Sequence, residues 1–477
     1  MIELTLREIA DAVGGRLHNC TGDEIVTGSV EFDSREIGPG ALFVAFPGER
    51  VDGHDFAKTA VDQGAVGVLA AREIDAPSVI CPPVPGGSGR AYVLAGDTDG
   101  SGAAVLAALA KLARAVVDRL PNLKIVGVTG SSGKTSTKDL IAQVLAPMGP
   151  TVAPPGSFNN ELGHPWTVLR ADENTRHLVL ELSARGPGHI AHLCQVAPPR
   201  IGVVLNVGSA HLGEFGSREG IAQAKGELVE ALSEDGVAVL NADDPLVAGM
   251  ASRTKARVVL VGEDSTAELR ATDIELDEQA RAGFKVNGVP VTLGVHGEHQ
   301  VGNALSAVAV AIELGATLEQ ALEALSQARS VSARRMDVTT RADGVTVVND
   351  AYNANPESVR AALKSLASMA RAGGRRSWAV LGTMAELGDT HVSAHDEIGR
   401  LAVRLDVSRL VVVGDAARPM HQGAHLEGSW GQESVLVPDA DAAVALLRDE
   451  LQPGDVVLVK ASNSEALWRV AEELLNT

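Results

Sequence analysis

The sequence predicts an α/β protein of three domains, and two observations carry this prediction. Short apolar runs rich in β-branched residues alternate with helical patterns along the whole chain, as in mainly parallel sheets covered by helices. The chain has 477 residues, and at about 150 residues per domain this length suggests three domains. We expect a small α/β domain over residues 1–100, a central domain over 101–330 and a Rossmann-like domain over 331–477.

The first block alternates short strands and helices. It opens with MIELTLREIADAVGG, whose apolar spacing predicts an amphipathic helix and not a signal peptide. It ends in the Pro/Gly-rich stretch APSVICPPVPGGSG, residues 76–89, which is typical of a loop or of an extended edge segment. The stretch AGDTDGSG, residues 95–102, then has the composition of a hinge.

The second block starts with a helix near Ser101 and continues as strand, loop and helix over residues 124–145. The runs HLVLEL, RIGVVLN, GVAVLN and RVVLVG predict buried strands of a mainly parallel sheet. Residues 271–295 alternate in polarity and turn at Asn287-Gly288, which predicts an antiparallel hairpin. Two helices follow, and Thr317 with Gln320 is placed to form a capping box at the second.

The third block repeats the α/β rhythm. The strands VTVVND, WAVLG, RLVVVG and DVVLVK alternate with helices, which predicts a doubly wound, Rossmann-like sheet. No G-x-G-x-x-G follows its first strand, so the block does not have the pattern of a dehydrogenase.

Charge and cysteine content narrow the function classes. The 41 basic and 61 acidic residues give a net charge of −20, which argues against binding to nucleic acid or to an anionic membrane. The three cysteines show neither a disulfide framework nor a zinc spacing, so we expect a reducing cytoplasm. No apolar run reaches about 18 residues, so no membrane insertion is expected.

The segment KIVGVTGSSGKTSTKDLIAQVL, residues 124–145, resembles a shortened phosphate-binding loop between a strand and a helix. Gly130 and Gly133 would turn backbone N–H groups inward, Lys134 would reach the β- and γ-phosphates, and the Thr135 hydroxyl would bind Mg²⁺. The alternative is a simple turn followed by a solvated lysine. The predicted nucleotide-binding loop comprises Gly130, Ser131, Ser132, Gly133, Lys134, Thr135 and Ser136.

The compact form T-G-x-x-G-K-T-[ST] is similar to the loop of the Mur ligase family, and the resemblance extends over nearly the whole chain. Further motifs follow in the family's order: EFDSREIGPGALFVAFPGERVDGHDF (31–56), NNELGHP (159–165), LELSARGPGHI (180–190), NVGSAHLGEFGS (206–217), AKGEL (224–228), GEHQVGNALSAVAVA (297–311), NDAYNANPESV (349–359), MAELG (384–388) and VKASNS (459–464). In the last motif Ala461 and Asn463 replace the Gly and Arg of many members.

The resemblance implies an ATP-dependent ligase of peptidoglycan precursor synthesis. Such an enzyme activates the terminal carboxylate of UDP-MurNAc-tripeptide as an acyl phosphate and joins it to D-alanyl-D-alanine. Another Mur-type ligase, such as one adding a diaminoacid or a paralogue of a secondary pathway, is the first alternative. A P-loop regulatory NTPase is less favoured, because no N-K-x-D motif is present.

The same resemblance implies the reacting centre. Its catalytic residues would be Lys134, Glu181, His211, Lys225 and Arg335. Two Mg²⁺ ions would be held by Thr135, Glu181, His211 and a carbamylated Lys225. Outside the family context, His211 would be a solvent-facing histidine, and Lys225 a solvated helix residue paired with Glu227 or Glu230.

Nucleotide and substrate contacts are also implied by the resemblance. Asn303, near His299, would bind adenine, and Arg335 would reach the γ-phosphate, although the neighbouring Arg334 competes for that role. Asp350 and Asn353, with Tyr352 between them, would hold the ribose. The proposed substrate-binding residues are Ser34, Arg35, Gly53, His54, Asn159, Asn160, Ser183 and Arg185. We expect a monomer that closes its third domain onto the second about a hinge near Ser330.

Overall fold

The structure is a computed structural model, and it describes residues 1–48, 51–84, 94, 97–208, 212–428 and 432–476. The chain forms three blocks, each built around its own sheet, as the sequence predicts. In the described ranges no helix is both long enough and apolar enough to cross a bilayer. Cys20, Cys81 and Cys194 are free thiols, so the expected lack of a disulfide framework is confirmed.

The first block contains a five-stranded sheet in the order β2-β7-β6-β5-β4 and a separate two-stranded pair, β1 with β3. Its elements are β1 (Leu4–Thr5), α1 (Leu6–Val13), β2 (Arg16–His18), β3 (Ile25–Val26), β4 (Val30–Glu31), β5 (Leu42–Val44), α2 (Ala57–Asp62), β6 (Gly67–Ala70) and β7 (Ser78–Ile80). The predicted amphipathic helix is α1, and it begins at a capping box in which Thr5 and Glu8 satisfy each other's backbone N–H groups.

The Pro/Gly-rich stretch at the end of the first block is not an edge segment. Its residues Ser78–Ile80 form β7, which pairs antiparallel with β2 and parallel with β6. All three residues are buried, since the sheet is covered on both faces at this strand. The prediction of an edge segment was wrong because the prolines flank the strand, at Pro77 and Pro82, and none lies within it. Residues 85–93 lie outside the described part of the chain.

The second block carries a nine-stranded sheet in the order β16-β15-β14-β13-β12-β11-β8-β10-β9. Its elements are α3 (Ser101–Asp118), β8 (Lys124–Thr129), α4 (Lys134–Leu145), β9 (Thr151–Val152), α5 (Gly163–Val168), β10 (His177–Glu181), α6 (His189–Val196), β11 (Ile201–Val204), α7 (Leu212–Phe215), α8 (Arg218–Glu230), β12 (Val237–Asn241), α9 (Pro245–Ala248), β13 (Arg257–Gly262), β14 (Leu269–Leu276), β15 (Arg281–Val286), β16 (Val289–His296), α10 (Gln300–Glu313) and α11 (Leu318–Gln327).

Strand order in this sheet brings distant segments together. β8 lies between β10 and β11 and is parallel to both, so the residues after these three strands meet at one edge of the sheet. The predicted hairpin is confirmed as β15 and β16, joined through Asn287 and Gly288, which both have positive φ. The capping box of Thr317 and Gln320 at α11 is also confirmed.

The third block is a six-stranded sheet in the order β17-β18-β22-β19-β20-β21. Its elements are β17 (Asp337–Thr340), β18 (Thr346–Asn349), α12 (Pro356–Gly373), β19 (Ser377–Leu381), α13 (His391–Arg404), β20 (Arg409–Val413), α14 (Arg418–Glu427), β21 (Ser434–Val437), α15 (Ala440–Glu450), β22 (Val456–Lys460) and α16 (Trp468–Leu475). All its pairings are parallel except that of the edge strand β17 with β18. The strands β17 and β21 were not predicted, because each is short and partly exposed.

The blocks pack closely against one another. Helix α3 contacts α1, and the Lys111 ammonium donates to the Val13 carbonyl at 3.2 Å. Further along, the turn between β14 and β15 enters the third block, where Ala280 is fully buried in the same apolar core as Met336 and Leu363. The residue limits given for the three domains stay a prediction, since the apolar core beneath α1 continues into the second block.

Candidate active site

A cleft of about 570 Å³ lies between the second and third blocks, at the edge where β8, β10 and β11 end. Most of the residues that the sequence predicts as site residues line this cleft. The predicted residues that line it are Ser131, Ser132, Gly133, Lys134, Thr135, Ser136, Asn159, Asn160, Glu181, Ser183, Arg185, Asn303, Arg335, Asp350 and Asn353.

The predicted phosphate loop joins β8 to α4 and faces this cleft. Gly133 has a φ of +80°, and a Cβ added there would lie 2.8 Å from the Asn303 side-chain oxygen, so only glycine fits without strain. The first turn of α4 presents backbone N–H groups that no carbonyl within the helix can accept. Together with the positive end of the helix dipole, they form an anion-binding surface.

Asn206, which follows β11, holds the other half of the loop. Its side-chain oxygen accepts from the N–H groups of Ser131 and Ser132 at 3.0 and 2.9 Å, and its amide donates to the Ser132 carbonyl. The Ser131 hydroxyl in turn accepts from the N–H of Gly208. The loop therefore takes its shape from a neighbouring strand as well as from its own glycines.

The Lys134 side chain is half-buried and lies across the loop. Its ammonium donates to the Gly130 carbonyl at 2.8 Å. Loss of hydration lowers the pKa of this ammonium, while Glu181 acts in the opposite direction and Arg335 adds to the lowering. The nearby carboxylate and guanidinium show that Lys134 shares one electrostatic site with Glu181 and Arg335.

Glu181 is the most deeply buried acidic side chain among the described lining residues of the cleft, with only 1% of its surface exposed. One carboxylate oxygen accepts from the Thr135 hydroxyl at 2.9 Å. The other accepts from the Ser157 hydroxyl at 2.8 Å and from the Asn159 amide at 2.6 Å. All three donors are neutral groups, which satisfy the carboxylate oxygens without supplying a counter-charge.

The pair of Thr135 and Glu181 fits Mg²⁺, which prefers a few hard oxygen ligands and retains water. Among the described residues there is no group of three or more His, Cys, Asp and Glu side chains that could hold a metal by itself. The third predicted ligand, His211, lies outside the described residues.

Lys225 lies on α8 and is buried, with 6% of its surface exposed. Burial lowers the pKa of its amine well below the usual value, and the charge of Lys134 lowers it further. In the described part of the chain its Nζ has neither an ion pair nor a hydrogen bond.

The two glutamates of the alternative reading have other partners. Glu227 accepts from the N–H groups of Gly188 and Ala191. Glu230 pairs with Arg253. The alternative of a solvated lysine paired with those glutamates is therefore wrong.

The two neighbouring arginines near the end of the interdomain linker point in different directions. Arg335 donates to the Thr135 hydroxyl at 3.2 Å and stacks on the Tyr352 ring, 4.2 Å from its centroid. Arg334 instead pairs with Glu472 and stacks on Trp468. Arg335 is thus the arginine that faces the cleft, and it contacts the second block across it.

Asp350 and Asn353 are held by a lysine that sequence reasoning did not select. The Lys460 ammonium donates to the Asp350 carboxylate at 2.6 Å and to the Asn353 carbonyl at 2.8 Å. Burial lowers the pKa of Lys460, and Asp350 opposes that effect. Asn355, not Asn353, caps α12.

Asn303 packs against the phosphate loop, where it also donates to Gln300 at 2.8 Å. His299 lines the same cleft. These contacts place Asn303 beside Gly133, at the end of α10 nearest to the loop.

The other predicted substrate residues of the second block include Asn159, which bonds to the Glu181 oxygen that Thr135 does not contact. Ser183 is tied to Asn159, since its N–H and its hydroxyl both donate to the Asn159 carbonyl. Asn160 accepts from the N–H groups of Leu162 and Gly163. Arg185 forms an ion pair with Glu386 of the third block at 3.1 Å, so it spans the cleft.

The predicted residues of the first block are not part of the described lining of the cleft. Arg35 is exposed and paired with Asp33, and Ser34 is half-buried beside it. His54 is buried, and its two ring nitrogens bond to Asp52 at 2.6 Å and to the Ala71 N–H at 2.9 Å. Both nitrogens of His54 are thus used inside the protein.

Gly53 beside it permits a close backbone approach. A Cβ at this position would lie 2.6 Å from the Phe46 carbonyl oxygen. Gly53 and His54 together shape the loop of the first block.

Sequence reasoning missed Asn206, Ser157 and Lys460 as members of the site. Asn206 and Lys460 stand inside motifs that the sequence already singled out, NVGSAHLGEFGS and VKASNS. Their position directly after β11 and at the end of β22 was the signal that could have found them. Ser157 follows no strand of this kind and had no such signal.

Three family profiles match the chain in order. They are described as Mur ligase family, catalytic domain over residues 28–86, Mur ligase middle domain over 128–311, and Mur ligase, glutamate ligase domain over 334–463. A relative from Mycobacterium bovis, "UDP-N-acetylmuramoyl-tripeptide--D-alanyl-D-alanine ligase", is 59% identical over 100% of this chain and 98% of its own length. The chain belongs to the Mur ligase family.

Solved structures agree with this Mur ligase over its full length. MurF from Acinetobacter baumannii has a TM-score of 0.84 at 29% identity, covering 100% of this chain and 99% of that one. MurF from Thermotoga maritima, solved in complex with ADP, has a TM-score of 0.77 at 30% identity and covers 94% and 98%. The three-domain α/β architecture predicted from the sequence is therefore confirmed.

Proposed function

We propose that this Mur ligase joins D-alanyl-D-alanine to UDP-MurNAc-tripeptide in peptidoglycan precursor synthesis, with ATP converted to ADP and phosphate. The observation that carries the proposal is the 59% identity, over the whole chain, to a relative named for that reaction. The cleft supports it chemically, because it combines an anion-binding helix end, two cationic side chains and a desolvated carboxylate at one place.

In the first step, the terminal carboxylate of the tripeptide attacks the γ-phosphorus of ATP. A carboxylate oxygen–phosphorus bond forms, the bond to the β-phosphate oxygen breaks, and ADP leaves. The protein's work is to position two anions and to offset their charge. The α4 N-terminus and Lys134 would hold the phosphates, and Arg335 would approach from the third block.

In the second step, the neutral amine of D-alanyl-D-alanine attacks the carbonyl carbon of the acyl phosphate. A nitrogen–carbon bond forms, the amine loses its proton, and the tetrahedral intermediate expels phosphate to leave the amide. We assign the peptide substrates to Asn159, Asn160, Ser183 and Arg185, which line the same cleft. Asn159 bonds to the Glu181 oxygen that Thr135 of the phosphate loop does not contact.

Thr135 and Glu181 would hold Mg²⁺, which supplies Lewis-acid neutralisation of phosphate charge when bound. We assign a second ion to the region of Lys225 and His211. The lowered pKa of Lys225 leaves more of its amine neutral, and the neutral amine is the form that adds to CO₂. The resulting carbamate would turn a buried cation into an anion able to support a metal.

We assign the nucleotide to the cleft between the second and third blocks, and the UDP group to the first block. Asn303 and Asp350 flank the phosphate loop from α10 and from the third block, where adenine and ribose would lie. Ser34 and Arg35, with the loop shaped by Gly53 and His54, would bind the UDP group. The cytoplasmic location and the monomeric state stay predictions.

The direct test is phosphate release with ATP, Mg²⁺, UDP-MurNAc-tripeptide and D-alanyl-D-alanine, together with the mass of the product. We expect a product heavier by the dipeptide minus water, and phosphate release only when both substrates are present. Turnover with a free diaminoacid in place of the dipeptide would favour another Mur-type ligase. Hydrolysis of ATP that needs neither substrate would favour a regulatory NTPase.

A further inference from the structure

One face of the phosphate-loop helix is bonded to the linker that joins the second and third blocks. Thr135, Asp139 and Gln143 are four residues apart on α4, so their side chains share one stripe along the helix. The linker, residues 328–336, passes along this stripe in the reverse direction. It meets Gln143 first, then Asp139 and finally Thr135.

Two side chains of the stripe bond directly to the linker backbone. The Gln143 amide donates to the Arg329 carbonyl at 2.9 Å, and its oxygen accepts from the Arg329 N–H at 3.0 Å. The second carboxylate oxygen of Asp139 accepts from the Ser332 N–H at 3.2 Å. Because these bonds are made to backbone groups, they fix the path of the linker backbone and do not depend on its side chains.

Asp139 is itself held by a buried ion pair with Lys138. The Lys138 side chain is 1% exposed, and its ammonium donates to Asp139 and, at 2.8 Å, to the Pro154 carbonyl. Three residues after Pro154 comes Ser157, whose hydroxyl donates to Glu181. The pair thus connects the interdomain linker to the segment that carries the hydrogen-bond donors of Glu181.

We propose that Lys138, Asp139 and Gln143 are positioning residues for the ligase reaction, which set Arg335 and the donors of Glu181 relative to the phosphate loop. The inference rests on the proposed function, since it assigns a task to Arg335. Arg335 is separated from Ser332 by only two residues, so a bond at the Ser332 N–H limits where the guanidinium can lie. None of the three residues needs to touch a substrate.

The decisive variant is Gln143→Leu, because Gln143 is only half-buried and leucine keeps its size and helix propensity. Losing two bonds to Arg329 should lower kcat about tenfold, while the dissociation constant for ADP changes less than twofold. Asp139→Asn should act in the same direction, since an amide cannot accept from both Lys138 and Ser332. Gln195→Leu, an exposed glutamine on α6, is the matched control and should leave kcat unchanged.

A double-mutant cycle separates positioning from a structural defect. In an Arg335→Ala background, Gln143→Leu should lower kcat by less than a further twofold, because the guanidinium that Gln143 positions is absent. Hydrogen exchange gives a readout that needs no turnover. The amides of Arg329 and Ser332 should exchange faster in Gln143→Leu than in the parent or in the control.

Three results would overturn the inference: unchanged kcat in Gln143→Leu, the same tenfold loss with and without Arg335, or unaltered exchange at the linker. Failure of the proposed function would look different. The parent protein would then show no turnover with D-alanyl-D-alanine, whereas the exchange result at Arg329 and Ser332 would still decide whether the linker is held by α4.

Discussion

The Thr135 hydroxyl donates a 2.9 Å hydrogen bond to the Glu181 carboxylate, although 46 residues separate them. The bond exists because β8 and β10 are parallel neighbours, which brings the start of α4 beside the end of β10. A hydroxyl at the phosphate loop and a buried carboxylate thereby share one point of the cleft.

This relationship predicts the effect of Glu181→Gln. Glutamine retains the shape but removes the charge that would hold a metal, so we expect kcat to fall about 100-fold or more. The loss should be accompanied by a higher Mg²⁺ requirement in the phosphate-release assay. Glu173→Gln, at an exposed carboxylate before β10, is the control. An unchanged Mg²⁺ dependence in Glu181→Gln would contradict the assignment of Glu181 as a metal ligand.

The neighbouring arginines offer a matched pair of variants. Arg335→Ala should lower kcat about 1000-fold, since it removes the cation that faces the phosphate loop. Arg334→Ala should lower kcat less than about threefold and reduce the free energy of unfolding by about 1 kcal/mol, through its lost contacts with Trp468 and Glu472. Steady-state kinetics and urea unfolding measure both effects. Equal kinetic losses in the two variants would show that the direction of the side chains does not decide the role.

Lys225→Met is expected to lose activity and to gain stability. In CO₂-free buffer the methionine variant should gain on the order of 1–3 kcal/mol, because it removes a buried amine for which the described residues provide neither an ion pair nor a hydrogen bond. The folded pKa lies below the unfolded value of 10.5, so the unfolded chain binds more protons between them and stability rises with pH in that window. The gain should therefore be largest at low pH and shrink toward pH 10.5.

The same variant tests the carbamate. The parent's turnover should fall when CO₂ is purged and return on addition of bicarbonate, whereas Lys225→Met should be inactive in both conditions. Full activity of the methionine variant would exclude a role for this amine.

His164 predicts an acid-sensitive step in stability. It is fully buried on α5, and burial lowers its pKa to about 3, although interactions with the backbone of Leu193 and Glu181 act in the opposite direction. The unfolded state binds the proton below about pH 6.5, so stability falls from there toward pH 3. The cost at pH 5 is about 2 kcal/mol.

His164→Leu should remove this pH dependence and stabilise the protein at pH 5, as measured by urea unfolding at pH 5 and pH 8. His425→Leu, at an exposed histidine on α14, serves as the control. A pH profile that is the same in His164→Leu and in the parent would contradict the prediction.

Much of the fold and part of the site could be predicted because the signals are local. Apolar runs placed β8 and β10 to β13 of the central sheet, the Asn287-Gly288 turn placed the hairpin, and the spacing of Thr317 and Gln320 placed the capping box. The short strand β9 was not predicted. The strand, glycine turn and helix of residues 124–145 are contiguous, so the phosphate loop could be recognised directly. Short or partly exposed strands such as β17 and β21 carry no comparable periodic signal.

The sequence by itself determined which residue types could hold phosphate and where each would stand along the chain. Only the tertiary structure decided that Asn206 braces the loop, that Lys225 is buried, and that Arg335 faces Thr135. The physical reason is the order of the strands. β8 lies between two strands that come much later in the sequence, and the linker folds back along α4 from the far end of the second block. Contacts of this kind depend on which surfaces are buried together, and no spacing within one segment encodes them.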